Sequence, residues 1–247
     1  MFLTSTTRLL CDALLTIAYP QPCSICGRSV EESRFGVACK SCWKATQIFK
    51  ANETLCWKCG RPLPAEISPV LRDLVRCHRC DSQWFTAARA IGPYQHALRE
   101  TVLFLKRQPH LPRQAESLLV ELAKREPLNC CTQVIPVPLH EKRIRSRGFN
   151  QAAILAHALS ERLSLPIVES NLCRVLFSEK HRAGLDPRGR RESVAGAFEI
   201  RHPKVVENQN ILLVDDVFTT GATASACAEK LLDAGAEKVY VLTLARA

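Results

Sequence analysis

Hydrophobic residues follow two different patterns along the 247-residue chain. From residue 86 to residue 247, short runs of consecutive apolar residues alternate with segments in which apolar residues recur every three or four positions. The first pattern predicts buried strands, and the second predicts amphipathic helices. Residues 23–85 contain few apolar residues and most of the cysteines. We therefore expect an α/β domain at 86–247, preceded by a small module at 23–85 whose folding depends on something other than an ordinary hydrophobic core.

The predicted strands and helices of the larger domain alternate, which is typical of a parallel sheet flanked by helices. The strands are predicted at 87–94, 134–140, 211–214 and 238–244, and the helices at 98–105, 114–124, 152–162 and 222–232. The run from Ile211 to Val214 contains four consecutive apolar residues. Such a run suits a strand that is buried on both faces.

Residues 1–22 have apolar positions at helical spacing, which predicts a short amphipathic N-terminal helix. Arg8 and Asp12 interrupt these positions, and no apolar stretch of the chain reaches the roughly 20 residues needed to span a bilayer. We therefore expect no transmembrane segment. The N-terminus also lacks a lysine-rich start and a small-residue cleavage site, so we expect no signal peptide and a cytoplasmic protein.

Two adjacent carboxylates and a loop of small hydroxyl residues follow the apolar run at 211–214. Asp215 and Asp216 are expected at the carboxyl end of that strand, where open α/β sheets bind ligands. Two carboxylates can accept hydrogen bonds from the two hydroxyls of a ribose. The loop after them consists of Thr219, Thr220, Gly221, Ala222 and Thr223. Its hydroxyls and the N-terminus of the next helix favour a phosphate group, so these parts together predict a site for ribose 5-phosphate.

Three other interpretations of this segment are weaker. A simple helix cap leaves the sequence of residues 219–223 unexplained. A phosphoacceptor receiver domain needs a full sheet after its first acids, but only 31 residues follow Asp216. A dinucleotide or nucleoside triphosphate loop needs its glycine fingerprint or a Gly-Lys-Ser/Thr sequence, and the chain has neither. The sugar-phosphate interpretation is therefore favoured.

Eight of the thirteen cysteines form four Cys-x-x-Cys pairs. The pairs are Cys23/Cys26, Cys39/Cys42, Cys56/Cys59 and Cys77/Cys80. Two-residue spacing lets both sulfurs reach one tetrahedral ion, so four pairs predict two zinc sites, each held by four cysteines. Four sulfurs leave no open position for water, which indicates a structural role for both zinc ions. The spacing leaves open whether adjacent or alternating pairs share an ion.

Other uses of the cysteines are less favoured. A disulfide framework needs an oxidising compartment, which the expected absence of a signal peptide argues against. Iron–sulfur ligation by paired cysteines is possible but less common in this arrangement. Trp43, Trp57 and Trp84 lie among the basic residues of the module. They could stack on unpaired bases or form the small core around the zinc sites, and both interpretations stay open.

The chain is basic, with a formal net charge of +10 that falls to about +6 if eight thiolates bind two zinc ions. A basic protein favours polyanionic ligands without identifying one. Arg143 and Arg147 lie in the segment 141–151, between a predicted strand and a predicted helix. They predict a cationic loop suited to pyrophosphate. A second basic stretch at 174–191 predicts a mobile loop that could close over pyrophosphate or hold a phosphodiester backbone.

The segment 214–223 resembles the binding motif for phosphoribosyl pyrophosphate (PRPP) of type I phosphoribosyltransferases. The whole chain resembles the ComF family, whose members join an N-terminal double zinc ribbon to a type I phosphoribosyltransferase-like α/β domain. The resemblance rests on the cysteine pairs at 23–80, on 135–140 with Arg143, on 147–151 and on 214–223. It implies that 137–147 forms the pyrophosphate loop and 215–223 the ribose phosphate site. The chain departs from the family pattern within 174–198, which leaves the role of that basic stretch open.

The family is linked to DNA uptake in natural transformation and to DNA utilization. The resemblance therefore implies binding of PRPP with Mg²⁺, binding of single-stranded DNA and a partner in the DNA-uptake machinery. We expect a DNA-handling factor with a PRPP site. The alternative is an active transferase, in which Asp215 and Asp216 are catalytic and Mg²⁺ helps pyrophosphate to leave as an unidentified acceptor attacks the ribose. A zinc-ribbon transcription regulator ranks last because it leaves the PRPP site without a role.

Overall fold

The computed structural model describes residues 20–50, 53–63, 71, 75–176 and 196–247. The amphipathic helix predicted at 1–22 lies almost entirely outside the described residues. Most of the basic stretch predicted at 174–191 also lies outside them, since only 174–176 are described.

Within the described residues, six strands form two sheets. In chain order they are β1 (Ala87–Pro93), β2 (Gln133–Pro136), β3 (Leu172–Arg174), β4 (Phe198–Ile200), β5 (Asn210–Phe218) and β6 (Lys238–Arg246). The main sheet has the order β1-β6-β5-β2, and its neighbouring strands are all parallel. Strands β3 and β4 form a separate antiparallel hairpin. The predicted parallel sheet is thus confirmed.

The described helices lie on both faces of the main sheet. They are α1 (Lys40–Lys44), α2 (His96–Leu105), α3 (Arg113–Ala123), α4 (Glu141–Arg147), α5 (Gln151–Leu163) and α6 (Ala222–Asp233). Residues Ile211 to Val214 are fully buried, and they alternate between two cores because successive side chains of a strand point to opposite faces. Leu212 packs with α2, α3 and α5, whereas Leu213 packs with α6. Among the described residues, every helix is too short or too polar to cross a membrane.

The cysteine module lies against the outer edge of β1. The backbone N–H of Ala88 donates to the carbonyl of Lys58 at 2.7 Å, and the N–H of Phe49 donates to the carbonyl of Ile91 at 2.8 Å. The module thereby pairs with backbone groups that β6 does not reach. The module also contributes side chains to both cores, with Trp43 in one and Cys59 in the other.

Two predicted segments between residues 134 and 151 differ from the structure. The strand predicted at 134–140 ends at Pro136, since this residue and Pro138 lack the N–H that a ladder requires. The segment predicted as a cationic loop contains a short helix, α4. The His140 ring accepts a hydrogen bond from the N–H of Lys142 at 3.2 Å, and Gly148 ends the helix with φ of 87°. Local capping at both ends therefore makes this basic segment helical.

Candidate functional site

The acid pair, Asp215 and Asp216, lies where β5 extends beyond its neighbour β2. Strand β2 ends at Pro136, opposite Val214, and the N–H of Val137 makes the next bond to the Val214 carbonyl at 2.8 Å. Strand β5 continues through the acids to Phe218 because β6 remains paired with it, so the prediction that it ends at Val214 is wrong. Both acids are half-buried. They lie on β5 itself, one and two residues beyond the point where its pairing with β2 ends.

Positive side chains lie close to the second acid. The Lys106 Nζ atom is 3.8 Å from Oδ2 of Asp216, whose side chain is 18% exposed. Burial lowers the pKa of Arg147, the Asp216 carboxylate raises it, and Arg143 lowers it. The structure therefore brings Asp216, Arg147 and Arg143 into one electrostatic neighbourhood. Lys106 was missed by the sequence analysis, since no local pattern relates the end of α2 to an acid 110 positions later.

The threonine loop, residues 219–223, connects β5 to α6. Gly221 is the N-cap of α6 and has φ of 79°, a region that residues with a side chain rarely adopt. A Cβ atom at Gly221 would lie 2.8 Å from the Phe218 ring, so glycine is required by space as well. The Thr220 hydroxyl accepts a hydrogen bond from the N–H of Ala222 at 3.3 Å. One of the free amides of the helix N-terminus is thus satisfied within the loop.

Asp215 and the threonine loop share a small cavity. It has a volume of about 20 Å³ and is lined by Asp215, Thr219, Gly221 and Thr223 together with residues of β5, α6 and β6. A cavity of this size holds about one water molecule. The structure therefore brings Asp215 next to the predicted phosphate loop, in an arrangement too narrow to enclose a sugar phosphate, whereas Asp216 does not line this cavity and lies beside Lys106.

A larger cavity of about 520 Å³ lies between the end of β2, helix α4 and the β3–β4 hairpin. Pro136 and Asn150 form part of its wall, and Arg174 and Arg201 come from the hairpin side. The Asn150 side chain is also the N-cap of α5, accepting from the N–H of Ala152 at 3.1 Å and donating to the carbonyl of Val137 at 3.0 Å. This cavity was not predicted, because it depends on how a hairpin folds back over the sheet.

The eight paired cysteines form two compact clusters. The first cluster is Cys23, Cys26, Cys39 and Cys42, and the second cluster is Cys56, Cys59, Cys77 and Cys80. Within each cluster the sulfur atoms all lie within 4.8 Å of one another. Adjacent pairs therefore share a site, which answers the question left open by the spacing.

The sulfur positions fit zinc. The Sγ atoms of Cys26 and Cys39 are 3.7 Å apart, and those of Cys59 and Cys77 are 3.5 Å apart. A tetrahedral zinc ion with bonds of about 2.3 Å to sulfur needs ligand separations of roughly 3.8 Å. Each set contains four thiols and no carboxylate, which is the donor set of a closed structural site.

The three tryptophans of the module have different environments. Trp43 is 6% exposed and its ring N–H donates to the carbonyl of Phe35 at 2.9 Å, so it belongs to the core. Trp57 is half-buried beneath the guanidinium of Arg76, which lies 5.2 Å from its ring centre. Trp84 is 56% exposed. The core interpretation therefore holds for Trp43, and Trp84 is available for contact with a ligand.

The fold and the site define a double zinc ribbon followed by a parallel α/β domain with an acid pair and a threonine loop. A family model described as "Double zinc ribbon domain" matches residues 14–81. The chain is 30% identical over 232 residues to "Competence protein F" of Haemophilus influenzae, covering 91% of this chain and 96% of that protein. The chain belongs to the competence protein F family, the ComF family, as the resemblance implied.

Other relatives are similar over most of their length. "DNA utilization protein YhgH" of Escherichia coli K12 is 29% identical, covering 94% of this chain and 99% of that protein. "Competence protein ComFC" of Bacillus subtilis is 26% identical, covering 83% of this chain and 89% of that protein.

Two solved structures match part of the chain at low sequence identity. The glutamine PRPP amidotransferase of B. subtilis matches with a TM-score of 0.38 and 19% identity, covering 58% of this chain and 30% of that one. The purine phosphoribosyltransferase of Pyrococcus horikoshii matches with a TM-score of 0.34 and 16% identity, covering 54% of this chain and 81% of that one.

Proposed function

We propose that this protein is a cytoplasmic factor of DNA uptake and utilization that binds PRPP together with Mg²⁺ and handles single-stranded DNA. The observation that supports the PRPP site is the shared cavity of Asp215 and the threonine loop. The names of the relatives, competence protein and DNA utilization protein, support the role in DNA uptake. A partner in the DNA-uptake machinery follows from that role.

The acid pair would hold the sugar. The two carboxylates can accept hydrogen bonds from the ribose hydroxyls, and the free N–H groups and dipole at the start of α6 favour the 5-phosphate. Arg143 and Arg147 would face the pyrophosphate, where guanidinium groups form strong charge-assisted bonds. When bound, Mg²⁺ neutralises pyrophosphate charge and is held largely by the oxygens of the ligand. The proposal requires the threonine loop to open, since its present cavity holds only about one water molecule.

Calorimetric titration with PRPP and MgCl2 tests this site. Replacing Asp215→Asn and Asp216→Asn keeps the side-chain shape but removes both charges, and we expect at least a 100-fold loss of affinity, about 2.7 kcal/mol. Asp233→Asn is the matched control, because this acid lies at the far end of α6 and pairs with Lys230 at 3.6 Å. Unchanged affinity in the double variant would show that the acid pair does not hold the ribose.

Binding of single-stranded DNA is expected to be electrostatic, since the chain carries a formal net charge of +10. Affinity for an oligothymidylate measured by fluorescence anisotropy should fall linearly with salt on a logarithmic scale. Arg143→Gln with Arg147→Gln should weaken it and reduce the salt slope. The control is Lys124→Gln with Lys204→Gln, which removes two exposed charges elsewhere. Equal losses in both double variants would mean that the arginines provide no specific DNA contact.

An active transferase is the second candidate, and the cavity of about 520 Å³ favours it. Its wall includes Pro136 and Pro138, which flank Val137, and Val137 bonds to the residue before Asp215. A nucleophilic acceptor held there could attack C1 of the ribose as the bond to pyrophosphate breaks. Release of pyrophosphate from PRPP in the presence of a panel of nucleobases and amines would support this activity. Release no faster than in buffer, with PRPP binding intact, would leave the pocket as a binding site only.

A further inference from the structure

We propose that the second cluster positions the threonine loop for its ligand through Arg246, and that the first cluster has no such role. This inference rests on the proposed function for the identity of the ligand. A chain of contacts leads from Cys59, a predicted zinc ligand, through Arg246 and Phe218 to the threonine loop. Arg246 acts as a positioning residue in this chain.

Arg246 connects the end of the sheet to the second cluster. It is the last residue of β6, paired with Phe218 of β5. Its guanidinium donates a hydrogen bond from Nη1 to the carbonyl of Cys59, and Nη2 is 3.8 Å from the Cys59 sulfur. The half-buried arginine therefore contacts both the backbone and the sulfur of one zinc ligand. A zinc ion with four thiolates carries a net charge of about −2, which makes it a suitable neighbour for the guanidinium.

The same guanidinium fixes the side chain that precedes the loop. Its carbon atom lies 4.7 Å from the centre of the Phe218 ring, within the range of a cation–π contact. The Phe218 ring is 5% exposed, and its edge fills the space where a Cβ of Gly221 would be, at 2.8 Å. Phe218 thus transmits the position of Arg246 to Gly221, the N-cap of α6. A shift of the guanidinium would leave the ring, and therefore Gly221, with room to move.

The chain that leaves the second cluster contacts the loop from another side. After Cys80, the N–H of Gln83 donates to the Cys80 carbonyl at 3.1 Å, and the Gln83 side-chain oxygen lies 3.2 Å from the Cβ position of Gly221. The N–H of Trp84 donates to the Ser225 hydroxyl at 3.0 Å in the first turn of α6. Phe85 packs edge-on against Phe218 with ring centres 5.7 Å apart. Two separate segments anchored to the second cluster therefore enclose the base of the threonine loop.

The first cluster has a comparable arginine but a different environment. The Arg28 guanidinium lies beside the Cys26 thiol and lowers its pKa to about 6. Both residues are exposed. Cys23 and Cys39 pack with α2 and α3, in the core on the opposite face of the sheet from α6. Arg28 is therefore a matched control: an arginine next to a zinc ligand that is remote from the loop.

The test compares Arg246→Gln with Arg28→Gln in the full chain loaded with two zinc ions. Hydrogen–deuterium exchange without ligand measures the mobility of residues 217–225 directly, and calorimetry measures PRPP affinity. We expect at least tenfold faster exchange in that segment and at least tenfold weaker PRPP binding for Arg246→Gln, with exchange in β2 and α5 unchanged. Arg28→Gln should alter neither measurement. Arg246→Lys, which keeps a donor and the charge, should recover part of both.

The outcomes separate the two proposals. If the unmodified protein fails to bind PRPP, the proposed function is wrong, yet the exchange measurement still decides whether Arg246 holds the loop. If exchange at 217–225 is the same in Arg246→Gln, Arg246→Lys and the unmodified protein, the positioning role is overturned. Faster exchange throughout the domain in both Arg246 variants would also overturn it, because it would assign the arginine to general stability.

Discussion

The two cysteine clusters have the same ligands and the same spacing within each pair, but they occupy different surroundings. In the first cluster Cys26 is exposed and Cys42 half-buried, whereas in the second cluster Cys56, Cys59 and Cys80 are all buried. The first cluster packs with Trp43 and the helices of one core, and the second packs with Phe85, Phe218 and α6 in the other. A metal motif thus specifies the geometry of the sulfurs, while its neighbours determine which part of the domain depends on the metal.

The largest expected effect is a difference between the two clusters in how fast they lose zinc. Under limiting EDTA we expect two phases, with zinc leaving the more exposed first cluster before the second cluster. Complete removal should unfold the module, since structural zinc contributes on the order of 10 kcal/mol to such folds. A colorimetric zinc indicator follows the release. Cys26→Ser should lack the fast phase, and simultaneous loss of both ions would show that the clusters are equally accessible.

The next effect concerns two tryptophans of the module. Trp43→Ala should destabilise the protein by about 3–5 kcal/mol, because it removes a buried ring and its hydrogen bond to Phe35. Trp84→Ala should cost less than about 0.5 kcal/mol, since that ring is 56% exposed. Urea unfolding followed by circular dichroism measures both. If Trp84 stacks on a base, its replacement should also weaken binding of an oligothymidylate by about 1–3 kcal/mol. Equal destabilisation by the two replacements would contradict the difference in burial.

The smallest expected effect is a difference in stability between two glycine replacements. The glycines are Gly27 and Gly60, which directly follow the first Cys-x-x-Cys pair of each cluster. Gly60 has φ of 67°, and an added Cβ would lie 2.6 Å from the carbonyl oxygen of Ala88 on β1. Gly60→Ala should therefore cost roughly 3 kcal/mol, through backbone strain and displacement of the module from the sheet. Gly27 has φ of 73°, but no atom of the described residues lies within 4 Å of its Cβ position. Gly27→Ala should therefore cost about 1 kcal/mol through strain alone.

Thermal unfolding separates the two glycine variants, because 1 kcal/mol corresponds to roughly 2–4 °C in a protein of this size. Equal shifts in the melting temperature would mean that the contact between the second cluster and β1 does not contribute to stability. Zinc content should remain at two ions per chain in both variants, since neither glycine is a ligand.

Much of the fold was predictable because its signals are local. The run from Ile211 to Val214 indicated a buried strand, and these residues are buried. The cysteine spacing indicated two four-sulfur clusters, which the structure contains. Local signals failed at α4, where capping by His140 and Gly148 turns an apparent basic loop into a helix. They also failed at the end of β5, since its length depends on pairing with β6.

The residues that surround the candidate site and contact it could not be predicted from the local sequence. Arg246 and Cys59 are 187 positions apart, and only the closed tertiary structure brings them together. Lys106 is similarly distant from Asp216 in sequence. Residues of the site motif were recognisable because their spacing is short. Residues that contact the site motif, such as Gln83, Lys106 and Arg246, lie outside it in sequence and belong to no local pattern that relates them to it.

The pairing of the module with β1 covers a strand edge that could otherwise bind a second chain. Lys58 and Phe49 occupy backbone groups along the outer edge of that strand. An open edge of this kind is a template on which another chain can add a strand. We therefore expect a chain whose module has not folded around metal to leave this edge uncovered and to be prone to self-association.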